Sequence, residues 1–239
     1  MGRTFENRKA KMFARWSKNA KAFTKVGKEI SIAIKAGGPD INSNPRLRMA
    51  VQTAKSLNMP KDRIEAAITR ASSKKEGDFQ EIVYEAYGPN GVALFIESAT
   101  DNPTRTVANI RAILSRGDGT LATSGALAHV FERKGSFTIE VTDAIDVDEL
   151  QLEMMDHGLL DTEEHENEIM LYSTFEDFVT LQSALEERKV EVKSASLQRF
   201  ALSTVELTDE QEEALEKLID TLEEDDDVQN VYHNIGSEE

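Results

Sequence analysis

EIVYEAYGPNGVALFIESA, residues 81–99, holds two strand-sized apolar runs around Gly88-Pro89-Asn90-Gly91. Turn residues of this kind between such runs predict a β-hairpin. Downstream, Asp101 or Asn102 can cap a helix starting at Pro103, with Val107, Ile110, Ile113 and Leu114 inward. GDGTLATSGA (117–126) reads as a Gly-rich loop and ALAHVFER (126–133) as the strand after it. This ββαβ piece lacks a second helix and a closing strand.

GSFTIEV (135–141) opens a second pattern. Its order is strand, helix (148–157), strand, strand (168–173), helix (175–187) and strand (190–200), with a turn at His165 to Asn167 between the middle strands. Ser173 with Glu176 fits a capping box. The βαββαβ order is that of the ferredoxin-like split unit. A further capping box at Thr208 and Gln211 opens a helix with Leu215, Leu218, Ile219 and Leu222, followed by a strand, VQNVYHN (228–234). That helix and strand cannot stand alone. The expectation is that they return to complete the hairpin piece, with the second unit inserted between.

Upstream, KNAKAFTKVGKEISIAIKAGG (18–38) reads as a helix. At about 100° per residue, Phe23, Val26, Ile30, Ala33 and Ile34 share one face. Lys18, Lys21, Lys25, Lys28 and Lys35 form a stripe opposite, with only Glu29 beside it. Gly37 supplies the permissive backbone that ends the helix. Asn44-Pro45 suits a helix start, and Leu47, Ala50, Val51 and Ala54 give its buried face. Pro60 opens a third helix with Ile64, Ala67, Ile68 and Ala71 inward. SSKKEGD (72–78) reads as a linker, and NRKAKMFARWSK (7–18) as a basic arm or short helix. Trp16 can stack on a base or anchor local packing.

The fold class that follows is α+β: an N-terminal three-helix domain, then two ferredoxin-like α/β domains, one inserted in the other. The expected domains are 1–78, basic and helical; 79–135 plus 203–239, discontinuous; and 136–202, inserted.

Charge is segregated along this plan. Residues 1–75 hold 18 of the 28 Lys and Arg and five of the 44 Asp and Glu, a balance of +13. The remainder carries −29, which gives the formal −16 of the 239-residue chain. Such asymmetry points to a polyanion partner for the basic module. Lysines and arginines that neutralise phosphates give affinity without reading sequence. No recognition-helix motif, zinc finger or basic zipper is present.

Other classes find little support. With no cysteine, disulfide scaffolds, thiolate metal sites and cysteine nucleophiles are excluded. No apolar run has membrane-spanning length. The charged N-terminus lacks the apolar core of a secretory signal, and MGRTFE fails the myristoylation pattern, so a cytoplasmic protein is expected. GDGTLATSG lacks the Lys-Ser/Thr of a P-loop. His129, His157, His165 and His233 show no metal-ligand spacing, and DHGLLDTEEHENE (156–168) reads as a solvated hairpin. The run Glu223 to Asp227 reads as solvated or as facing a basic partner. No nucleophile–base pair is visible. No catalytic residue, metal or cofactor is expected.

Three long, ordered segments carry a resemblance: NPRLRMAVQTAKSLNMPKDRIEAAI, YEAYGPNGVALFIESATDNPTRT and HVFERKG. They closely resemble the YebC family, which includes the mitochondrial translational activator of cytochrome oxidase. The resemblance covers most of the chain. It implies a three-domain, cytoplasmic, non-enzymatic regulator of gene expression. Family members have been described as DNA-binding transcriptional regulators, and others resemble ribosome-associated translation factors that relieve stalling at proline-rich stretches. The opening GRTFENRKAK departs from the GHSKW-type start of many members, so contacts of that segment do not carry over.

The candidate nucleic-acid contacts are Lys18, Lys21, Lys25, Lys28, Lys35, Arg46, Arg48, Lys55 and Arg105, with Trp16 for stacking. Arg105 can equally bridge to nearby acids. The loops Tyr87, Gly88, Pro89, Asn90, Gly91 and Gly117, Gly119, Gly125 are expected to be presented to a functional centre. The expected partner is RNA of the ribosome or transfer RNA, on the ribosome, with promoter DNA as the alternative. Docking of the acidic domains on a basic protein is a third reading. The chain is expected to be a monomer.

Overall fold

Apolar stripes at helical spacing dominate the first third of the chain. A computed structural model describes residues 22–73, 79–141, 145–165 and 167–236. Its first helices are α1 (Ala22–Gly37), α2 (Pro45–Ser56) and α3 (Lys61–Ser72). Val26, Ile30, Ala33 and Ile34 of α1 close on Leu47, Ala50, Val51 and Ala54 of α2 and on Ile64 and Ala67 of α3. Pro60 is the residue before α3, so the helix opens one position later than its proline.

The corner between α1 and α2 is tied by Asn44, which is buried. Its Oδ1 accepts from the Leu47 N–H at 3.1 Å, capping α2. Its Nδ2 donates to the carbonyls of Ala33 and Gly38, each at 2.8 Å, closing α1. Gly38 leaves the helix at φ +83°, a left-handed exit that glycine adopts without steric cost. A Cβ on Gly37 would lie 2.8 Å from the Asn44 side chain.

The first sheet contains β1 (Gln80–Tyr87), β2 (Ala93–Thr100), β3 (Thr120–Leu121) and β8 (Val228–His233), in the antiparallel order β3-β1-β2-β8. Helices α4 (Pro103–Arg116) and α7 (Asp209–Glu223) bury Ile110, Leu114, Leu215, Leu218, Ile219 and Leu222 against Leu94, Ile96 and Val228. The C-terminal helix and strand therefore return to finish the sheet begun by the hairpin. Asn102 caps α4, accepting from the Arg105 N–H at 3.1 Å. At the start of α7, the Thr208 N–H donates to Gln211 Oε1 at 3.1 Å.

Between these halves lies the second sheet, β4 (Phe131–Glu140), β5 (Leu159–His165), β6 (Glu168–Thr174) and β7 (Val192–Ala201). Its order, β5-β6-β4-β7, and its helices α5 (Val147–Met155) and α6 (Phe178–Glu187) form the ferredoxin-like unit. Phe137 stacks on Phe178 at 4.6 Å within its core. Phe95 of the first sheet meets Phe131 of the second edge-on at 5.8 Å, beside Leu127, Val130 and Tyr232. Among the described residues no helix is long and apolar enough to cross a membrane.

Three local expectations differ from what the structure shows. Residues 124–130 are turns, and the strand begins at Phe131 rather than Ala126. It runs unbroken through Arg133-Lys134-Gly135, so the expected boundary at 135/136 falls inside β4. Pairing on both edges, with β6 and β7, holds this polar stretch extended. At α6, Thr174 Oγ1 accepts from the Asp177 N–H at 3.0 Å, one residue along from the expected Ser173–Glu176 box.

Candidate nucleic-acid interface

The lysine stripe of α1 does not face solvent along its length. Lys28 is buried, and its ammonium donates to the carbonyls of Ala99 (3.0 Å) and Asp226 (2.7 Å) and to Asp227 Oδ1 (2.8 Å). These use all three of its protons. Lys25 Nζ donates to the Gln229 carbonyl at 3.1 Å. The middle of the stripe thus clamps α1 onto the first sheet, and Lys28 is withdrawn as a phosphate contact. Lys18, Lys21 and Trp16 lie outside the described residues. Lys35 and Lys55 are exposed on the helical unit.

The acidic half of the clamp is Asp227, the last residue of the run read as solvated. It is 3% exposed. Its Oδ2 accepts from Arg105 Nη2 at 2.7 Å, Thr106 Oγ1 at 2.9 Å and Thr100 Oγ1 at 3.2 Å. Burial alone would raise this carboxyl, but hydrogen bonds from Lys28, Arg105 and Thr106 outweigh it and hold the group at about 2. Arg105 also pairs with Asp101 at 3.0 Å. Of its two expected roles, the structure shows bridging to acids.

Arg46 and Arg48 are engaged as well. Arg46 pairs with Glu81 of β1. Arg48 reaches Glu186 of α6 at 2.8 Å and donates to the Asn42 carbonyl at 3.1 Å. The corner after α1 therefore faces both α/β units, one arginine reaching β1 and the other α6. Beside it, half-buried Glu29 is pushed up to about 7 by burial. Arg46 and Lys25 oppose that shift, while Glu81 and Glu97 add to it.

The two loops expected to be presented lie side by side, because Tyr87 pairs with Thr120. Tyr87 is exposed. Asn90 accepts from Gln211 Nε2 at 3.2 Å, which ties the Gly88–Gly91 turn to α7. Gly117 and Gly119 serve packing rather than presentation. A Cβ on either would lie 2.7 Å from Leu218 or 2.9 Å from the Tyr87 carbonyl. Gly125 is held from below, since buried Glu85 accepts from the N–H groups of Gly125 and Leu127, both at 2.6 Å.

Sequence reasoning missed Asp227, Glu85 and two arginines of α3. Arg63 and Arg70 are exposed and form no ion pair among the described residues. The signal for them was available: they stand seven apart, on one side of α3. Lys35 and Lys55 add exposed positive charge on the same unit, as do Arg46 and Lys61, which pair with Glu81 and Glu65.

Comparison with known proteins places this architecture. Residues 3–74 match the family model described as the TACO1/YebC protein N-terminal domain, and residues 79–235 the model of the TACO1/YebC second and third domain. A probable transcriptional regulatory protein of Porphyromonas gingivalis is 51% identical over 239 residues, covering 100% of this chain and 99% of its own. Another from Parabacteroides distasonis is 48% identical, covering 100% and 98%. The crystal structure of a conserved hypothetical protein from Aquifex aeolicus superposes with a TM-score of 0.78 at 34% identity, covering 92% of this chain and 91% of that one. The chain belongs to the TACO1/YebC family.

Proposed function

We propose that the protein is a non-enzymatic, nucleic-acid-binding regulator of gene expression. It works in the cytoplasm as a monomer, on the ribosome, through ribosomal or transfer RNA, and relieves stalling at proline-rich stretches. The observation that supports binding is the exposed positive charge of the helical unit, at Lys35, Lys55, Arg63 and Arg70, on a chain of net charge −16. Exposed cations of this kind release counterions from phosphates, and an acidic body repelled by the same polyanion orients the docked molecule. The ribosomal target follows from the family resemblance. Promoter DNA is the second reading, favoured by the name of the relatives, probable transcriptional regulatory protein.

Crosslinking in cells followed by sequencing of the bound nucleic acid tests the order of these readings. Ribosomal or transfer RNA is the expected catch. Promoter fragments without ribosomal RNA would reverse the order. Recovery of neither would leave docking of the acidic body on a basic protein as the better account.

A further inference from the structure

A groove of about 460 Å³ separates α1 from α3 and opens beside the start of β1. That is the size range of small-molecule sites. Lys28 and buried Ala67 form part of its floor, Phe23 and Phe79 line it, and Arg63 and Arg70 stand along its α3 side. We propose that this groove seats one unstacked nucleotide of a single-stranded nucleic acid. The proposal rests on the nucleic-acid-binding reading above and names where, and in what form, the strand is held.

Three observations converge. Arg63 and Arg70 are two helical turns apart, about 10 Å along α3, so they can hold separate phosphates. Neither has an ion-pair partner among the described residues, unlike Arg46, Arg48 and Arg105. The groove they border also offers rings: the Lys28 ammonium lies 5.3 Å from the Phe79 centroid, and Phe23 is half-buried. Aromatic side chains in a cationic groove are the usual means of holding bases without reading them.

The third observation is Gly27. It sits in mid-helix, where glycine costs up to about 1 kcal/mol against alanine. Its φ is not positive, and a Cβ built on it meets nothing within 4 Å. Neither backbone conformation nor packing among the described residues calls for glycine there. It lines the groove and leaves a flat stretch of helix backbone bare. A planar base laid against that wall explains the missing side chain. An acidic peptide would use the arginines but has no need of the rings or the bare wall.

Fluorescence anisotropy on the full chain tests this with labelled oligouridine, oligothymidine and oligoglutamate. Gly27→Phe fills the groove without touching a charge. It should weaken oligonucleotide binding about tenfold or more while the melting temperature holds or rises. Gly27→Ala should raise the melting temperature and leave binding intact. Arg63→Gln with Arg70→Gln should flatten the salt dependence by about 1.4 in log–log slope, the value for two phosphates of a single strand. The ratio of oligouridine to oligothymidine affinity identifies RNA or DNA as the source. Unchanged binding by a folded Gly27→Phe protein overturns the seat while leaving nucleic-acid binding in place. Oligoglutamate competing as well as the oligonucleotides also overturns it. If the wild-type protein binds no oligonucleotide or duplex at all, the broader reading falls and the seat with it.

Discussion

Lys28 and Asp227 stand 199 positions apart in the chain and meet at 2.8 Å in a buried ion pair. Together with Arg105 they lock α1 to the turn that leads into β8 and to the start of α4. Removing one partner leaves an uncompensated buried charge, which typically costs about 3–5 kcal/mol. Asp227→Ala and Lys28→Ala should therefore both destabilise strongly in urea titrations, and Lys28→Met less so. A double-mutant cycle should show coupling of about 1 kcal/mol or more. Additive losses would mean the pair is not a unit. Because the pair is buried, Lys28→Glu reports on the fold and not on ligand contact.

Asp227 and Glu29, two carboxyls displaced in opposite directions, give opposite pH signs. Asp227, held at about 2 against an ordinary 3.8, contributes stability above pH 4 that is lost as pH falls through its folded value. The difference is worth about 2 kcal/mol. Glu29, raised to about 7 from 4.5, behaves inversely. Its contribution is complete below pH 4.5 and disappears as pH rises through 7. Thermal melts of Glu29→Gln should lose most of the wild-type decline across that interval and be the more stable at pH 8. An unchanged decline would assign it to another group.

Asn44 makes three hydrogen bonds that close one helix and open the next. Asn44→Ala removes a cap and orphans two carbonyls, an expected loss of about 2–3 kcal/mol by chemical denaturation. Asn44→Asp keeps the acceptor but turns a buried oxygen toward the two carbonyls, so at neutral pH it should lose at least as much as Asn44→Ala and regain part of the loss as the carboxyl protonates at low pH.

Glu85 holds the loop at Gly125 and Leu127 by two backbone N–H groups. Glu85→Gln keeps size but can accept on one oxygen only. Hydrogen exchange at those two amides should accelerate while the core strands stay protected. Equal acceleration throughout would show a global effect.

Much of this fold is legible in the chain. Caps at Asn44, Asn102 and Gln211, the hairpin at Gly88–Gly91 and the apolar stripes are local signals, and each element arises where its signal stands. Interfaces between units are not local. A helical wheel puts Lys28 opposite its own core correctly, yet says nothing of a second body on that side. Asp227 looks like one more acid in a run until β8 carries it under α1. The strands expected at 126–133 and 135–141 are joined for the same reason, since neighbours on both edges hold the polar stretch between them in β4.

The first sheet has a consequence for synthesis. β2 is an inner strand, and its outer partner β8 is made only after the whole inserted sheet. At ordinary elongation rates its ALFI edge waits on the order of ten seconds for that partner. The helical unit and the inserted sheet can each close while the outer sheet is still unfinished. β8, synthesised after the inserted unit, then shields an apolar edge that would otherwise recruit another chain, and the residue just before it is the Asp227 that meets Lys28.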